Sequence, residues 1–311
     1  MAARRALLGL LTLFIVSVVV FSATQVLPGN AAYAVLGHSA TPQSLHALEQ
    51  KLGLNRPVTT QYWDWFSGLL QGHLGDSLAD GRPVSSLIGP RLENSGFLVL
   101  VAGLISTLVG VALGLWAALR RDKLIDHGLS VVLLTLTSLP EFVIGIVLVL
   151  AFAVGFHFLP AVSVLSPGQA PWHAGTLLVL PVATLIVVTV PYLFRMTRAA
   201  TVEALESEYV EMARLKGVSP MRVLFRHALP NAIAPTIQVI GLNFLYLAGG
   251  IVLVEVVFNY PGIGQGLVNA VSDRDIPTIQ FIVLVLAAFY VFMNILTDVI
   301  VLAATPRRLF K

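Results

Sequence analysis

Six apolar stretches, each on the order of twenty residues or longer, run through this chain at 7–26, 95–119, 127–156, 176–194, 236–258 and 279–303. An α-helix rises about 1.5 Å per residue, so each stretch can cross a hydrocarbon core about 30 Å thick. Inside such a core, backbone N–H and C=O groups have no water to pair with, and a helix pairs them within the segment itself. The charge content agrees, because only 11% of the residues are charged and 57% are hydrophobic, against about a quarter charged in a soluble domain. The expected fold is an all-α polytopic membrane protein with six transmembrane helices. With no cysteine in the chain, a disulfide framework, a thiolate nucleophile and a Cys-based metal site are all excluded.

Several spans carry features of their own. The first could pass for a secretory signal, but it is longer than a typical signal core and no clear A-x-A site follows Leu27-Pro28-Gly29-Asn30, so a retained helix is expected. In the second, Gly96, Gly103, Gly110 and Gly114 recur near one face, as closely packed helix pairs favour. The third is interrupted at Leu139-Pro140-Glu141-Phe142, and the fourth contains Pro181 and Pro191. Between the first two spans lies a long polar segment, 31–94. It holds a helix start at Thr41-Pro42-Gln43-Ser44, a helix over 45–52, and Tyr62-Trp63-Asp64-Trp65-Phe66, which predicts an interfacial helix with its rings at headgroup depth. A turn-rich stretch, 72–83, follows. Its Gly75-Asp76-Ser77-Leu78 spells an esterase signature, but no strand precedes it to make the nucleophile turn.

Six spans place both termini on one side. That side carries Arg4, Arg5, Arg120, Arg121, Lys123, Arg195, Arg198, Arg214, Lys216, Arg222, Arg226, Arg307, Arg308 and Lys311, fourteen of the nineteen basic residues. Lys51, Arg56, Arg82, Arg91 and Arg274 fall on the other side. The positive-inside rule therefore predicts cytoplasmic N and C termini, a long outer segment between helices 1 and 2, and a cytoplasmic loop, 195–235, between helices 4 and 5.

That loop predicts helix, break, helix. Val202, Leu205, Tyr209, Met212, Ala213 and Lys216 recur at helical spacing, with Glu203, Glu206 and Glu211 on the other side. Gly217 stands where a helix wants a left-handed residue. Ser219-Pro220 opens a second short helix, expected to stop near Ala228 before Pro230. Such an elbow can plug into a groove on a partner or lie on the membrane surface.

The pattern Glu211-x-Ala213-x-x-x-Gly217, followed by Leu229-Pro230, resembles the EAA loop of bacterial ABC importer permeases, with Met212 where that family has a second alanine. Three further stretches, Thr24 to Ala32, Gly72 to Ser77 with Arg82-Pro83-Val84, and Tyr260-Pro261-Gly262-Ile263-Gly264, resemble the dipeptide/oligopeptide/nickel branch. The resemblance covers nearly the whole chain. It implies a first helix and extracytoplasmic segment over 1–94 and a permease transmembrane domain over 95–311. It further implies a coupling helix whose Tyr209, Glu211, Ala213, Arg214 and Gly217 dock an ATP-binding subunit. The implied partners are a second homologous permease, two cytoplasmic ATP-binding subunits that hold the ATP and Mg, an extracytoplasmic solute-binding protein near the outer turn (Tyr260, Pro261, Gly262, Gly264), and lipid. The implied location is the bacterial inner membrane. Dipeptides or oligopeptides are the expected cargo; glutathione and nickel complexes are carried by similar proteins.

The residues themselves agree on the energy source. None of the four lysines follows a glycine, so a GxxxxGK[ST] phosphate loop cannot be formed and no cofactor is expected in this chain. Uphill transport would then borrow hydrolysis from another subunit or, in a stand-alone carrier, use an ion gradient. Ionisable residues in or beside the spans are Glu93, Glu141, Glu255 and Asp298. Glu141, after a helix-breaking proline, and Glu255, near the outer turn, are the candidates for a translocation path; structural pairing is the other reading of each. The seven histidines show no zinc spacing, and no nucleic-acid motif appears.

Overall fold

The computed structural model describes residues 2–26, 41–51, 53, 55–166, 168–223, 226 and 229–304. Among these the regular structure is helical, with a single isolated bridge between Asp76 and Pro83. The α-helices are α1 (Ala2–Val26), α2 (Pro42–Lys51), α3 (Val58–Leu70), α4 (Val84–Leu119), α5 (Leu124–Thr137), α6 (Glu141–Leu148), α7 (Val179–Leu205), α8 (Glu208–Leu215), α9 (Pro220–Val223), α10 (Leu229–Val257), α11 (Ile263–Ser272) and α12 (Ile276–Ala304). Among the described residues five helices are long and apolar enough to cross a membrane, and the count rises to six if α5 and α6 form one broken span. The break falls at the proline the sequence singles out, and the chain bends there by 103°. Pro140 has no N–H to continue the ladder and holds the residue before it out of helical geometry. Beyond α6 the helix loosens to a π-helical stretch, Val149–Gly155.

Three expected boundaries move. The second span starts at Val84 rather than at 95, so its polar first turns lie within the helix. There Arg91 Nη1 donates to the Gly262 carbonyl at 3.1 Å and Asn94 Nδ2 to the Pro261 carbonyl at 2.9 Å. The fourth span runs on to Leu205, into what reads as loop. Thr184, Thr189 and Thr201 fold their hydroxyls back onto the carbonyls four residues earlier, at 2.9, 2.7 and 2.7 Å, which lets a polar face stay helical. The fifth span begins at Leu229, not near 236. Pro230 lies in the first turn of this helix, where an N–H has no helical partner to lose.

The chain divides into two compact units, 1–94 with 261–292, and 95–260 with 293–311. In the first, Val84, Ile88, Ile263 and Ile282 are buried together. The aromatic helix α3 also belongs to this unit. Its rings pack on the first span: Tyr62 and Trp65 lie 5.3 and 5.6 Å from the Phe21 ring, and the Tyr62 hydroxyl is 2.9 Å from Ser17 Oγ. The serine of the esterase-like tetrapeptide is buried too. Ser77 Oγ donates to Asp275 Oδ2 at 2.5 Å, a link between the turn-rich stretch and the start of α12 with no histidine in it.

In the second unit, α4, α7 and α10 pack closely through small residues. A Cβ at Gly110 would stand 2.5 Å from Leu193 Cβ, and one at Gly114 would stand 2.9 Å from both the Phe194 carbonyl and Thr197 Cβ. Gly103 meets the Phe244 ring, whereas a Cβ at Gly96 would touch nothing. Three of the four glycines therefore mark helix contacts.

Candidate functional site

The elbow between α7 and α10 is built on its own small core. Ala204, Val210, Ala213, Val223 and Ala232 are buried together, with Leu205 and Val218 packed against them. The helix does not run unbroken from Val202 to Lys216. It stops at Leu205, and Ser207 turns the chain: its carbonyl accepts from the Val210 and Glu211 N–H groups at 3.0 and 3.1 Å, while its hydroxyl donates to the Ala204 carbonyl at 2.6 Å. This break rotates the buried face. Val210 and Ala213 turn inward, and Tyr209, Met212 and Leu215 turn out, 45%, 56% and 77% exposed. The single-face reading over 202–216 is corrected accordingly.

Gly217 closes α8 with φ +74°. The Val218 N–H donates to the Ala213 carbonyl at 3.2 Å, and both side chains join the buried core. That six-to-one bond with its apolar contact is a Schellman ending, which requires the left-handed residue. Space is not the constraint, since a Cβ at Gly217 would meet nothing within 4 Å. The second helix of the elbow, α9, covers Pro220–Val223. Its expected continuation through 224, 225, 227 and 228 lies outside the described residues, as does the Arg214 side chain.

The elbow is also braced from the side. Arg121 pairs with Glu206 at the end of α7. Two turns further back, Arg198 grips Asp126 with two bonds, Nε to Oδ1 at 2.7 Å and Nη2 to Oδ2 at 2.6 Å. In the sequence Arg121 and Arg198 read only as orienting charges. Its one available clue to the pairing was Asp126, an acid isolated among apolar residues and basic turn residues.

The remaining candidates are dispersed. Glu141 is half-buried at the start of α6, accepting from the Tyr246 hydroxyl at 3.3 Å, and a Cβ at Gly250 would lie 2.7 Å from its Oε2. Glu255 is fully buried in α10 and accepts from Ser95 Oγ at 2.5 Å, so it is sealed within the chain. In the turn 259–264, Tyr260, Gly262 and Gly264 are buried and Pro261 is half-buried. The described residues hold no cluster of His, Asp and Glu able to bind a metal ion.

Several helices of membrane-crossing length, with a self-supporting polar elbow between two of them, fit the architecture of a membrane transport subunit. Residues 110–309 match the family of binding-protein-dependent transport system inner membrane components, and residues 1–89 match that family's N-terminal region. The chain belongs to this family and is a permease subunit of an ABC importer. It is 37% identical over 306 residues to a probable peptide ABC transporter permease protein, y4tP, of Sinorhizobium fredii, covering 98% of this chain and 97% of that protein. It is 36% identical, with the same coverage, to the glutathione transport system permease protein GsiC of Escherichia coli K12. The fold is also like a chain from an inward-facing MetNI methionine ABC transporter structure, with TM-score 0.58, 18% identity, and coverage of 71% of this chain and 97% of that one.

Proposed function

We propose that this subunit carries small peptides, dipeptides or oligopeptides, into the bacterial cytoplasm across the inner membrane. It does so along a path shared with a second permease, using ATP hydrolysed with Mg by two cytoplasmic subunits and ligand delivered by an outer binding protein. The observation that carries this reading is the outward-turned ridge Tyr209, Met212 and Leu215 on a helix already fixed by its own core. A preformed apolar ridge loses little conformational entropy on docking and fills a partner's groove as helix-in-groove contacts do. Glu211 is exposed beside the ridge and Gly217 fixes where the helix ends, so both shape the docked surface. Ala213 supports the surface from beneath. With the termini and elbow cytoplasmic, as the basic residues predict, the ridge faces the nucleotide-binding subunits.

The peptide reading follows the relative from Sinorhizobium fredii; the glutathione permease of Escherichia coli supports the second reading, since glutathione is itself a small peptide derivative. Proteoliposomes holding the assembled complex and its binding protein distinguish them. ATP-dependent accumulation of labelled trialanine is expected. Accumulation of glutathione but not trialanine would transfer the assignment to glutathione, and uptake that survives removal of the ATP-binding subunits would refute the ATP-driven reading altogether.

A further inference from the structure

The latch between Asp126 and Arg198 has a geometry suited to more than support. Asp126 lies in the first turn of α5, is 1% exposed, and also accepts from the Asp122 N–H at 3.1 Å. Two parallel N–H···O bonds fix direction as well as distance. Separating the partners would leave a buried carboxylate uncompensated, so the ends of α5 and α7 are held as one piece. Arg121 and Glu206 tie the same two segments together beside the elbow. Below the latch, Ala117, Leu133, Val190 and Phe194 pack α4, α5 and α7 together.

The other end of α5 is the 103° bend, and past it Glu141 rests against α10 at Tyr246 and Gly250. The α5–α6 pair is thus a bent lever. One arm is locked to α7 next to the elbow; the other packs on both α7 and α10, the two helices that enter and leave the elbow.

We infer that Asp126 and Arg198 are positioning residues for the transport cycle, a latch that makes the α5–α6 bend follow the elbow when the ATP-binding subunits move it. The inference rests on the elbow being the docking site. Motion entering α8 loads the end of α7, the latch passes it to α5, and the bend absorbs it where Pro140 interrupts the backbone ladder. Residues that only braced the bundle would be needed equally in every state. A latch is needed for the response to nucleotide.

The chain has no cysteine, so a single Ser138→Cys, exposed in the bend, reports on it directly. The complex with the second permease and the ATP-binding subunits is labelled with a fluorescent maleimide, with and without ATP plus vanadate. In the otherwise unchanged chain the labelling rate is expected to change with nucleotide by about fivefold or more. Adding Asp126→Asn removes that change while co-purification and ATP hydrolysis persist. Arg198→Lys, which keeps the charge but loses the fork, retains part of it. A full nucleotide response in Asp126→Asn overturns the inference, as does a bend that never responds. Loss of assembly in both latch variants makes the pair a folding contact and overturns it too. Failure of the unsubstituted chain to hold the ATP-binding subunits refutes the docking reading instead.

Discussion

Two breaks between helices, the elbow at 206–219 and the turn at 259–264, share a sequence grammar of glycine, proline and a few large apolar side chains. The structure uses them in opposite ways. In the elbow, small side chains fill the inside (Ala204, Ala213 and Ala232, with Val210 and Val223), and the large ones, Tyr209, Met212 and Leu215, are left outside. In the turn the large ones go inward: Tyr260 is fully buried, and Ile263 joins the packed core of Val84, Ile88 and Ile282. A core of alanines and valines can close over a short helix while its bulky residues stay exposed at the surface, where interface anchors lie. A turn that buries its tyrosine and isoleucine has spent its anchors on the fold. Of the two glycine-bearing breaks, the elbow is the one with apolar contact area to offer a partner.

This contrast can be broken by substitution, and the largest effect is expected on docking. Replacing Met212 and Leu215 together by aspartate should lower recovery of the ATP-binding subunits on purified permease by about tenfold or more, the scale of losing interface anchors. Insertion and thermal stability of the chain should stay unchanged. Val268→Asp, on an exposed position of α11 beyond the turn, should leave that recovery intact. For the turn the expected loss is one of stability. Ile263→Ala should destabilise the purified protein by about 2 kcal/mol or more, read as a lowered midpoint in thermal unfolding, whereas Leu215→Ala should shift it by less than about 0.5 kcal/mol.

The effect at Gly217 is conformational and confined to the elbow. At Gly217 a methyl group has room, so Gly217→Ala should cost only the backbone penalty of a left-handed residue, about 1–2 kcal/mol, and Gly217→Asn less. Faster amide exchange over 216–218, greater in the alanine variant, would report it. Equal exchange in both variants would mean that the Schellman ending is dispensable.

Much of this arrangement is legible in the chain itself. Long charge-free runs announce their helices, since few other structures satisfy a backbone in lipid. Pro140 marks the bend, and Gly217 marks the end of the elbow helix, because each is a backbone constraint that acts locally. Helix ends are less legible where a polar residue is neutralised from elsewhere. Arg198 reads as the edge of a loop until Asp126, far away in sequence, is brought beside it. Arg91 and Asn94 read as an outer segment until the Gly262 and Pro261 carbonyls receive them. The buried face of α8 was hidden for a different reason. A two-residue break at Glu206-Ser207 resets the helical phase, and periodicity counted across it assigns Tyr209 and Met212 to the wrong side.

On the proposed reading, the outward ridge of α8 seats an ATP-binding subunit. A photo-crosslinking amino acid placed in turn at Leu215, Met212 and Val268 in the assembled complex tests it most directly. Crosslinks to the ATP-binding subunit from Leu215 and Met212, and none from Val268, are the predicted result. Adducts from Leu215 and Met212 with lipid alone, or crosslinking no stronger than from Val268, would contradict it.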